Sequence, residues 1–241
     1  YVKKAVEQGS PGLALTDHGN LHGAVEFYQY AKKNGINPII GVEAYMTPTS
    51  RFDRTNVNEN KRYYHLVLLA KNNRGYENLI QLVTRSFMEG MYYKPRMDWE
   101  LLEQYGSDII ALSACLGSEL ANAVLHGRDE EEAVLVIRKH QQLFGSENYF
   151  LEIQPHKHPD QVTLNAKLIE LSKSLSVPLV ATSDAHYVSL EDQEAQEIML
   201  CIQTDAKLSD ENRFTMKEAD CSLKSFETMK AFFPENLDAL S

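Results

Sequence analysis

Two short segments of this chain contain side chains that could bind a metal ion together. Asp184 and His186 stand two residues apart, and side chains at such positions of an extended segment point to the same side. Asp17 and His18 form a second pair, followed by Gly19, which permits a tight turn into the next element. Both pairs also have a structural interpretation, because an aspartate can cap a helix and Asp-x-His sequences often occur by chance.

Four further side chains could join such a site. Glu43 ends an apolar run, where a charge is costly unless it is paired or bound to a cation. His65 precedes an apolar run, and Cys115 and His156 follow two others. Each has an ordinary alternative: a salt bridge for the glutamate, a structural or surface role for the histidines, or burial as a small apolar side chain for the cysteine.

Six short apolar runs must position these residues, and they alternate with stretches whose apolar residues recur at helical spacing. Near-continuous apolar strands separated by helices indicate a parallel sheet covered on both faces. The sequence therefore predicts an α/β fold, either a barrel or a large doubly wound sheet. The predicted strands are residues 12–15, 38–42, 66–70, 109–112, 149–153 and 177–181, and predicted helices include 23–33, 77–87, 129–144, 161–175 and 222–233.

Polar residues follow five of these six runs directly. Parallel sheets and barrels place their sites at the carboxyl ends of strands. We therefore expect one rim of the fold to collect histidine, aspartate, glutamate and cysteine side chains. The other histidines have ordinary positions in this interpretation, and His140 is expected on the solvated face of a helix.

Length and composition narrow the classes of function. The chain has 241 residues and a hydrophobic fraction of 43%, which suits one barrel-sized domain or two small ones. A net charge of −10 argues against a broad phosphate-gripping surface, but a small metal-lined phosphate site remains compatible with it. No phosphate-binding loop, Gly-x-Ser-x-Gly turn or Cys-x-x-Cys pair is present.

The sequence also suggests a cellular compartment. Three widely spaced cysteines do not form a disulfide framework, and they fit a reducing cytoplasm. With no long apolar run and no secretory signal, we expect a cytoplasmic protein without a membrane partner.

The ends of the chain suggest a larger protein. Residues 1–9 resemble the last turns of an amphipathic helix, so we expect further residues upstream. After Thr204 the chain becomes polar and rich in turns, which divides it into a domain at 1–204 and an exit segment at 205–241. Residues 47–62 are expected to form an exposed loop.

Segments along nearly the whole chain carry a family resemblance. They include ALTDHGNL at 14–21, PIIGVEAY at 38–45, HLVLLA at 65–70, YFLE at 149–152 and ATSDAHY at 181–187. Together they resemble the polymerase-and-histidinol-phosphatase (PHP) family, and more narrowly the PHP domains of bacterial DNA polymerase III alpha subunits. The resemblance implies a distorted (β/α)7 barrel whose first strand, most of the first helix and a His-x-His motif belong upstream of Tyr1. The segment after 204 would lead to the polymerase palm.

The same resemblance implies a set of functional residues and up to three divalent ions, zinc or manganese. His18, Asp184 and His186 would take part in catalysis. Asp17 and His156 would lie near the rim, and His156 matches no ligand position of the family. The implied metal ligands are His18, Glu43, His65, Cys115, Asp184 and His186.

Such a domain would be a metal-dependent phosphoesterase, a 3′–5′ exonuclease that removes mismatched nucleotides. Its partners would be DNA, through the primer 3′ end, and other subunits of the replisome. One alternative is a non-catalytic, metal-stabilised scaffold that buttresses the polymerase and docks a separate proofreading subunit. A further alternative is a stand-alone small-molecule phosphatase.

Overall fold

The structure is a computed structural model that describes residues 1–55 and 63–240, and it is built around one curled sheet. Eight strands in this described part form the sheet, which curls into a half-barrel, and α-helices pack against it. The predicted α/β class is confirmed. The strands are β1 Gly12–Leu15, β2 Asn37–Met46, β3 Tyr64–Ala70, β4 Met91–Tyr92, β5 Lys94–Met97, β6 Ile109–Leu112, β7 Tyr149–Ile153 and β8 Leu179–Ala181.

Helices connect most of these strands. All but one of the predicted helices match closely, and the predicted helix at 222–233 is shorter than expected. The hairpin β4–β5 and three helices (α4, α5 and α8) were not predicted from the sequence. The helices are α1 Val2–Glu7, α2 Ala24–Lys33, α3 Asn73–Met88, α4 Trp99–Tyr105, α5 Glu119–His126, α6 Glu130–Phe144, α7 Pro159–Leu175, α8 Gln193–Thr204 and α9 Phe226–Phe232.

Side-chain caps fix where many of the helices begin. In each case an oxygen of a short polar side chain accepts a hydrogen bond from a backbone N–H of the first turn, which would otherwise lack a partner. Ser118 caps α5 in this way directly after the turn that contains Cys115, so the cap also anchors that turn. The other caps of this kind are Asn72, Asp98, Asp129 and Ser225.

The strand order is β4-β5-β2-β3-β6-β7-β8, and β1 pairs in parallel with the first half of β2. The sheet is mixed, so the expectation of a parallel sheet was wrong for one central strand. β3 runs antiparallel to both of its neighbours, β2 and β6, while β6, β7 and β8 are parallel. A strand buried on both faces is apolar whichever way it runs, so the sequence pattern carried no information about direction.

Alternation along the strands separates the two faces of the sheet. Residues such as Leu68 and Leu151 point to the outer face, where they join the large core beneath the helices. Their neighbours Val67, Leu112 and Phe150 belong to a small cluster on the inner face. Polar residues that lie on the same face of a strand as this second set therefore face the inside of the half-barrel.

The segment after β2 is more buried than expected. Its described part, residues 47–55, includes buried Thr47 and Arg51. Arg51 is held by Glu89 at 2.7 Å and by Asp98 at 3.0 Å, which fastens the segment to the start of α4. The remainder of the predicted loop, 56–62, lies outside the described residues.

The chain after Thr204 packs against the rest of the structure. Met229, Phe233 and Ala239 belong to the same large core as the strands. Arg213 lies 2.6 Å from the buried carboxylate of Glu197 on α8. The division at 204 stays a prediction, as does the strand expected upstream of Tyr1.

No helix in the part of the chain that the structure describes combines the length and apolarity needed to cross a membrane.

Candidate metal centre

A cavity of about 490 Å³ opens on the inner face of the half-barrel, at the rim where β1, β2, β6, β7 and β8 end. Apolar side chains of the inner face, among them Val67 and Leu112, form part of its wall. The polar part of its lining includes Asp17, His18, Glu43, Cys115, Glu152, Gln154, Thr182, Asp184 and His186.

Continued strand pairing brings His18 to Glu43. Beyond β1, the N–H of Glu43 donates to the carbonyl of Asp17 at 3.1 Å, and Gly19 donates to the carbonyl of Glu43 at 2.9 Å. The imidazole Nδ1 of His18 then lies 3.4 Å from Oε2 of Glu43. Gly19 has φ +67°, and a Cβ there would lie 2.8 Å from the ring of Pro95, so this turn requires glycine.

The antiparallel direction of β3 brings His65 to the same rim. His65 lies near the amino end of β3, and in an antiparallel pair this end adjoins the carboxyl end of β2. Its Nδ1 is 2.7 Å from Oε1 of Glu43. A parallel β3 would have placed His65 at the opposite rim.

Cys115 reaches the site from the turn after β6. Its Sγ lies 3.3 Å from Nδ1 of His65 and 3.7 Å from Oε1 of Glu43, and the backbone N–H of Gly117 donates to it at 3.5 Å. The preceding residue, Ala114, has φ 63°, an uncommon conformation for a residue with a side chain. Burial raises the pKa of the Cys115 thiol, and the nearby charges of Glu43 and Asp184 raise it further.

Asp184 and His186 line the cavity after β8. Nδ1 of His186 lies 2.8 Å from the carbonyl oxygen of Asp184 and 3.8 Å from its carboxylate. The His186 N–H donates to the carbonyl of Cys221, which fastens this segment to the end of the chain. Burial raises the pKa of Asp184 against the opposing influence of His186. The rings of His186 and His18 are 6.2 Å apart.

A hydrogen bond and nearby charges together outweigh burial at Glu43. Burial alone would raise its pKa, but the hydrogen bond from His65 and the charges of the surrounding histidines lower it overall. Burial lowers the pKa of His18 in spite of Glu43, and His65, His186 and Lys94 add to the decrease. An ionised carboxylate at Glu43 beside a neutral imidazole at His18 is the protonation pattern that a cation requires of its ligands.

The donor atoms have spacings that suit a divalent cation. Metal–ligand bonds of about 2.0–2.3 Å separate the ligand atoms of a tetrahedral zinc site by about 3.3–3.8 Å. The distances from Cys115 to His65 and to Glu43, 3.3 and 3.7 Å, fall in this range, whereas Glu43 and His65 are in direct hydrogen-bond contact at 2.7 Å and would move apart around a cation. The ligand atoms of His18, Glu43 and His65 all lie within 4.8 Å of one another. Because Oε1 of Glu43 faces His65 and Oε2 faces His18, its two oxygens could serve two cations.

The two other residues expected near the rim differ in position. Asp17 lines the cavity, next to His18. His156 is not among the residues that line it; this side chain is only 8% exposed, and burial lowers its pKa to about 4. The six implied ligands line the cavity or contact a residue that does, and their roles stay predictions.

Sequence reasoning missed one buried acidic residue in the lining of the cavity, Glu152. Glu152 lies on β7 two residues after inward-facing Phe150, so it points to the same face. Thr182 and Gln154 donate hydrogen bonds to its carboxylate. Burial raises the pKa of Glu152 to about 7 against these hydrogen bonds. The signal that could have revealed it is the one that singled out Glu43, a charge within an apolar strand.

The sequence of this chain is similar to known proteins over most of its length. The family model described as "PHP domain" matches residues 1–156. DNA polymerase III subunit alpha of Treponema pallidum is 47% identical over 97% of this chain and 20% of its own length. The corresponding subunits of Borreliella burgdorferi and Thermus aquaticus are 45% and 43% identical, over 99% and 98% of this chain and 21% and 19% of theirs. The chain thus spans about a fifth of the length of these relatives.

A similarity to a solved structure is much weaker. An amidohydrolase from Chromobacterium violaceum, solved with bound sulfate and no metal, aligns with 96% of this chain and 89% of its own. The TM-score is 0.41 at 13% sequence identity, which is too low to support an argument about fold or function.

Proposed function

This chain belongs to the PHP domain family, and from that premise we propose that its polar cavity is a divalent-metal centre that hydrolyses phosphate esters. The observation that carries the proposal is the convergence of His18, Glu43 and His65, whose ligand atoms lie within 4.8 Å of one another. These residues come from three strands or strand ends, so local sequence alone does not explain their meeting.

The six implied ligands would hold the cations. Glu43 would contribute one oxygen beside His65 and Cys115 and the other beside His18, while Asp184 and His186 face the same cavity. Sulfur and imidazole donors favour zinc, and the two carboxylates also admit manganese. Bound cations of this kind lower the pKa of a coordinated water and neutralise charge on a phosphoryl group.

The six implied ligands differ in how far they are exposed. His18 is the most accessible of the six, with 41% of its side chain exposed, so it would lie nearest an entering substrate. Its lowered pKa favours the neutral imidazole that a cation requires of a ligand. Asp184 and His186 are held together by the contact of the His186 ring with the Asp184 carbonyl, and they would bind a cation from the segment that follows β8.

For the substrate we propose the 3′-terminal nucleotide of a DNA primer. The relatives that match nearly all of this chain are polymerase subunits, which supports a domain that acts within a replicative polymerase as a 3′–5′ exonuclease. DNA and other replisome subunits would then be its partners. The net charge of −10 is consistent with a substrate held by cations rather than by a basic surface.

The test is hydrolysis of a 3′-mismatched primer by the protein with Mn²⁺ or Zn²⁺. We expect release of the terminal nucleotide, and its loss in Asp184→Asn. Asp160→Asn, an exposed change in the first turn of α7, is the matched control and should keep the activity. Activity that is equal in the two variants would refute the proposal.

A scaffold without catalysis is the second candidate, and α8 supports it. Ile198, Met199 and Ile202 are 43–70% exposed and lie close together on one side of that helix, as a contact with another protein would require. Metal binding without hydrolysis of the primer would favour this role. Hydrolysis of small phosphate monoesters alone would instead support a stand-alone phosphatase.

A further inference from the structure

Glu152 lines the cavity, and its carboxylate accepts three hydrogen bonds. Oε1 accepts from the hydroxyl of Thr182 at 2.5 Å and from the side-chain amide of Gln154 at 3.2 Å. Oε2 accepts from the backbone N–H of Ala114 at 3.1 Å. The residue is only 4% exposed, so these partners replace the water that the carboxylate loses on burial.

Two of the three donors belong to the segments that carry Cys115 and Asp184. Ala114 directly precedes Cys115, and Thr182 lies two residues before Asp184. Gln154 and Asp184 line the same cavity. The carboxylate on β7 thus ties together the ends of β6 and β8, the strands on either side of it.

Both segments contain backbone that needs such support. Ala114 has φ 63° and Asp184 has φ 46°. Residues other than glycine keep this conformation only where the surrounding structure imposes it. The N–H of Ala114 and the hydroxyl of Thr182 both donate to the Glu152 carboxylate, so these hydrogen bonds hold the two turns in place.

From this geometry we infer that Glu152 is a positioning residue that fixes Cys115 and Asp184 for cation binding. The inference depends on the proposed metal centre and adds a residue to it. Glu152 is poorly placed to be a ligand itself, because both lone pairs of Oε1 are already engaged and Oε2 has one donor.

The network uses both oxygens of the carboxylate as acceptors. A glutamine at 152 would replace one of these oxygens with an NH₂ group. Toward Ala114 this group would leave a backbone N–H without an acceptor, and toward Thr182 and Gln154 it would require both side chains to reorient so that they accept. Glu152→Gln therefore removes part of the network while it keeps the shape of the side chain.

Cobalt titration of the protein tests this role. Co²⁺ reports its own ligands, since a bound thiolate adds a sulfur-to-cobalt charge-transfer absorption in the near ultraviolet. We expect wild type to bind Co²⁺ with this absorption. In Glu152→Gln the affinity should fall by about 10–100-fold, the usual effect of changing a group that orients metal ligands, and the charge-transfer absorption should weaken.

The matched control is Glu197→Gln, which changes another buried, hydrogen-bonded glutamate. Glu197 is held by Thr215, Met216 and Arg213 and does not line the cavity. This variant should bind Co²⁺ as wild type does, with the same spectrum. Circular dichroism of each variant checks that it is folded.

A second variant keeps the inference testable if Glu152→Gln does not fold. Thr182→Val removes one of the three donors and leaves Glu152 in place, and we expect a smaller loss of affinity in the same direction. Wild-type affinity and spectrum in Glu152→Gln, or in Thr182→Val where only that variant folds, would overturn the positioning role. Failure of wild type itself to bind Co²⁺ would overturn the metal centre and this inference with it.

Discussion

The imidazole of His65 lies 2.7 Å from the carboxylate of Glu43 because β3 runs antiparallel to β2. Tyr45 is the direct cross-strand partner of His65, so the two candidate ligands Glu43 and His65 meet diagonally on the inner face of the sheet. This contact joins an amino-terminal strand end to a carboxyl-terminal one, and several properties of the candidate site can be tested from it.

Added Zn²⁺ or Mn²⁺ should stabilise the protein against heat. A cation that binds only the folded state at 100 times its Kd adds about 2.7 kcal/mol to the free energy of unfolding. For a chain of 241 residues this corresponds to a rise in Tm of about 5–10 °C. Differential scanning calorimetry measures it. Glu43→Gln should lose most of the rise, since this carboxylate contacts His18 and His65; an equal rise in that variant would contradict the assignment.

Cys115→Ser should change the preference among metals. The hydroxyl is a harder and weaker ligand than a thiolate, so affinity for zinc should fall more than affinity for manganese. Competition titrations with a chromophoric chelator give both constants. Cys201→Ser, a buried cysteine on α8, serves as the control and should leave the ratio unchanged. Equal losses for the two metals in Cys115→Ser would show that the sulfur is not a ligand.

Gly117→Ala should weaken metal binding through His65. A Cβ at position 117 would lie 3.1 Å from Nδ1 of His65, which is closer than an ordinary contact, so the ring must shift. We expect the affinity for zinc to fall by about tenfold. In Gly23→Ala the new Cβ would meet its nearest atoms at 3.4 and 3.5 Å, so this variant should bind as wild type does. Isothermal titration calorimetry of both variants decides the matter.

His140 should make the protein sensitive to acid. Contrary to the expected solvated position, His140 is buried, 4.9 Å from the ring of Trp99 and 4.8 Å from that of Tyr149. Burial lowers its pKa from 6.5 to about 4. Between these two values the unfolded chain binds a proton that the folded chain does not, so the free energy of unfolding falls as the pH drops from 6.5 to 4.

His140→Phe should remove this part of the acid sensitivity. The contribution of His140 to the free energy of unfolding does not depend on pH above about 6.5. Below that it decreases by about 1.4 kcal/mol per pH unit, to a total of about 3 kcal/mol at pH 4. Urea unfolding at a series of pH values measures the difference between the variant and wild type. His126→Gln, at the exposed end of α5, should leave the slope as it is. An unchanged slope in His140→Phe would contradict the prediction.

Much of the local structure could be predicted from the sequence. The strands β1, β6 and β7 begin and end at the predicted residues, because short apolar runs bounded by turn residues are typical of buried strands. Glu43 could be singled out for the same reason, as a charge within such a run. Cys115 and Asp184 could be expected at strand ends, but not the left-handed conformation of Ala114 and Asp184.

Other features depend on contacts between distant parts of the chain. The position of His140 depends on Trp99 and Tyr149, which pack over the face of α6 that was expected to be solvated. The role of Glu152 depends on Ala114 and Thr182, 38 and 30 residues away. Local periodicity reports only which residues are apolar and how they recur, so neither contact could be predicted from it.

The sequence by itself determined that this is an α/β protein with ligand-type side chains at the ends of apolar strands. Only the tertiary structure decided that β3 runs antiparallel and that His65 therefore faces Glu43. The physical reason is that an apolar strand is equally well buried in either direction. Its direction is set by the neighbouring strands to which it hydrogen-bonds, and these lie far away in sequence.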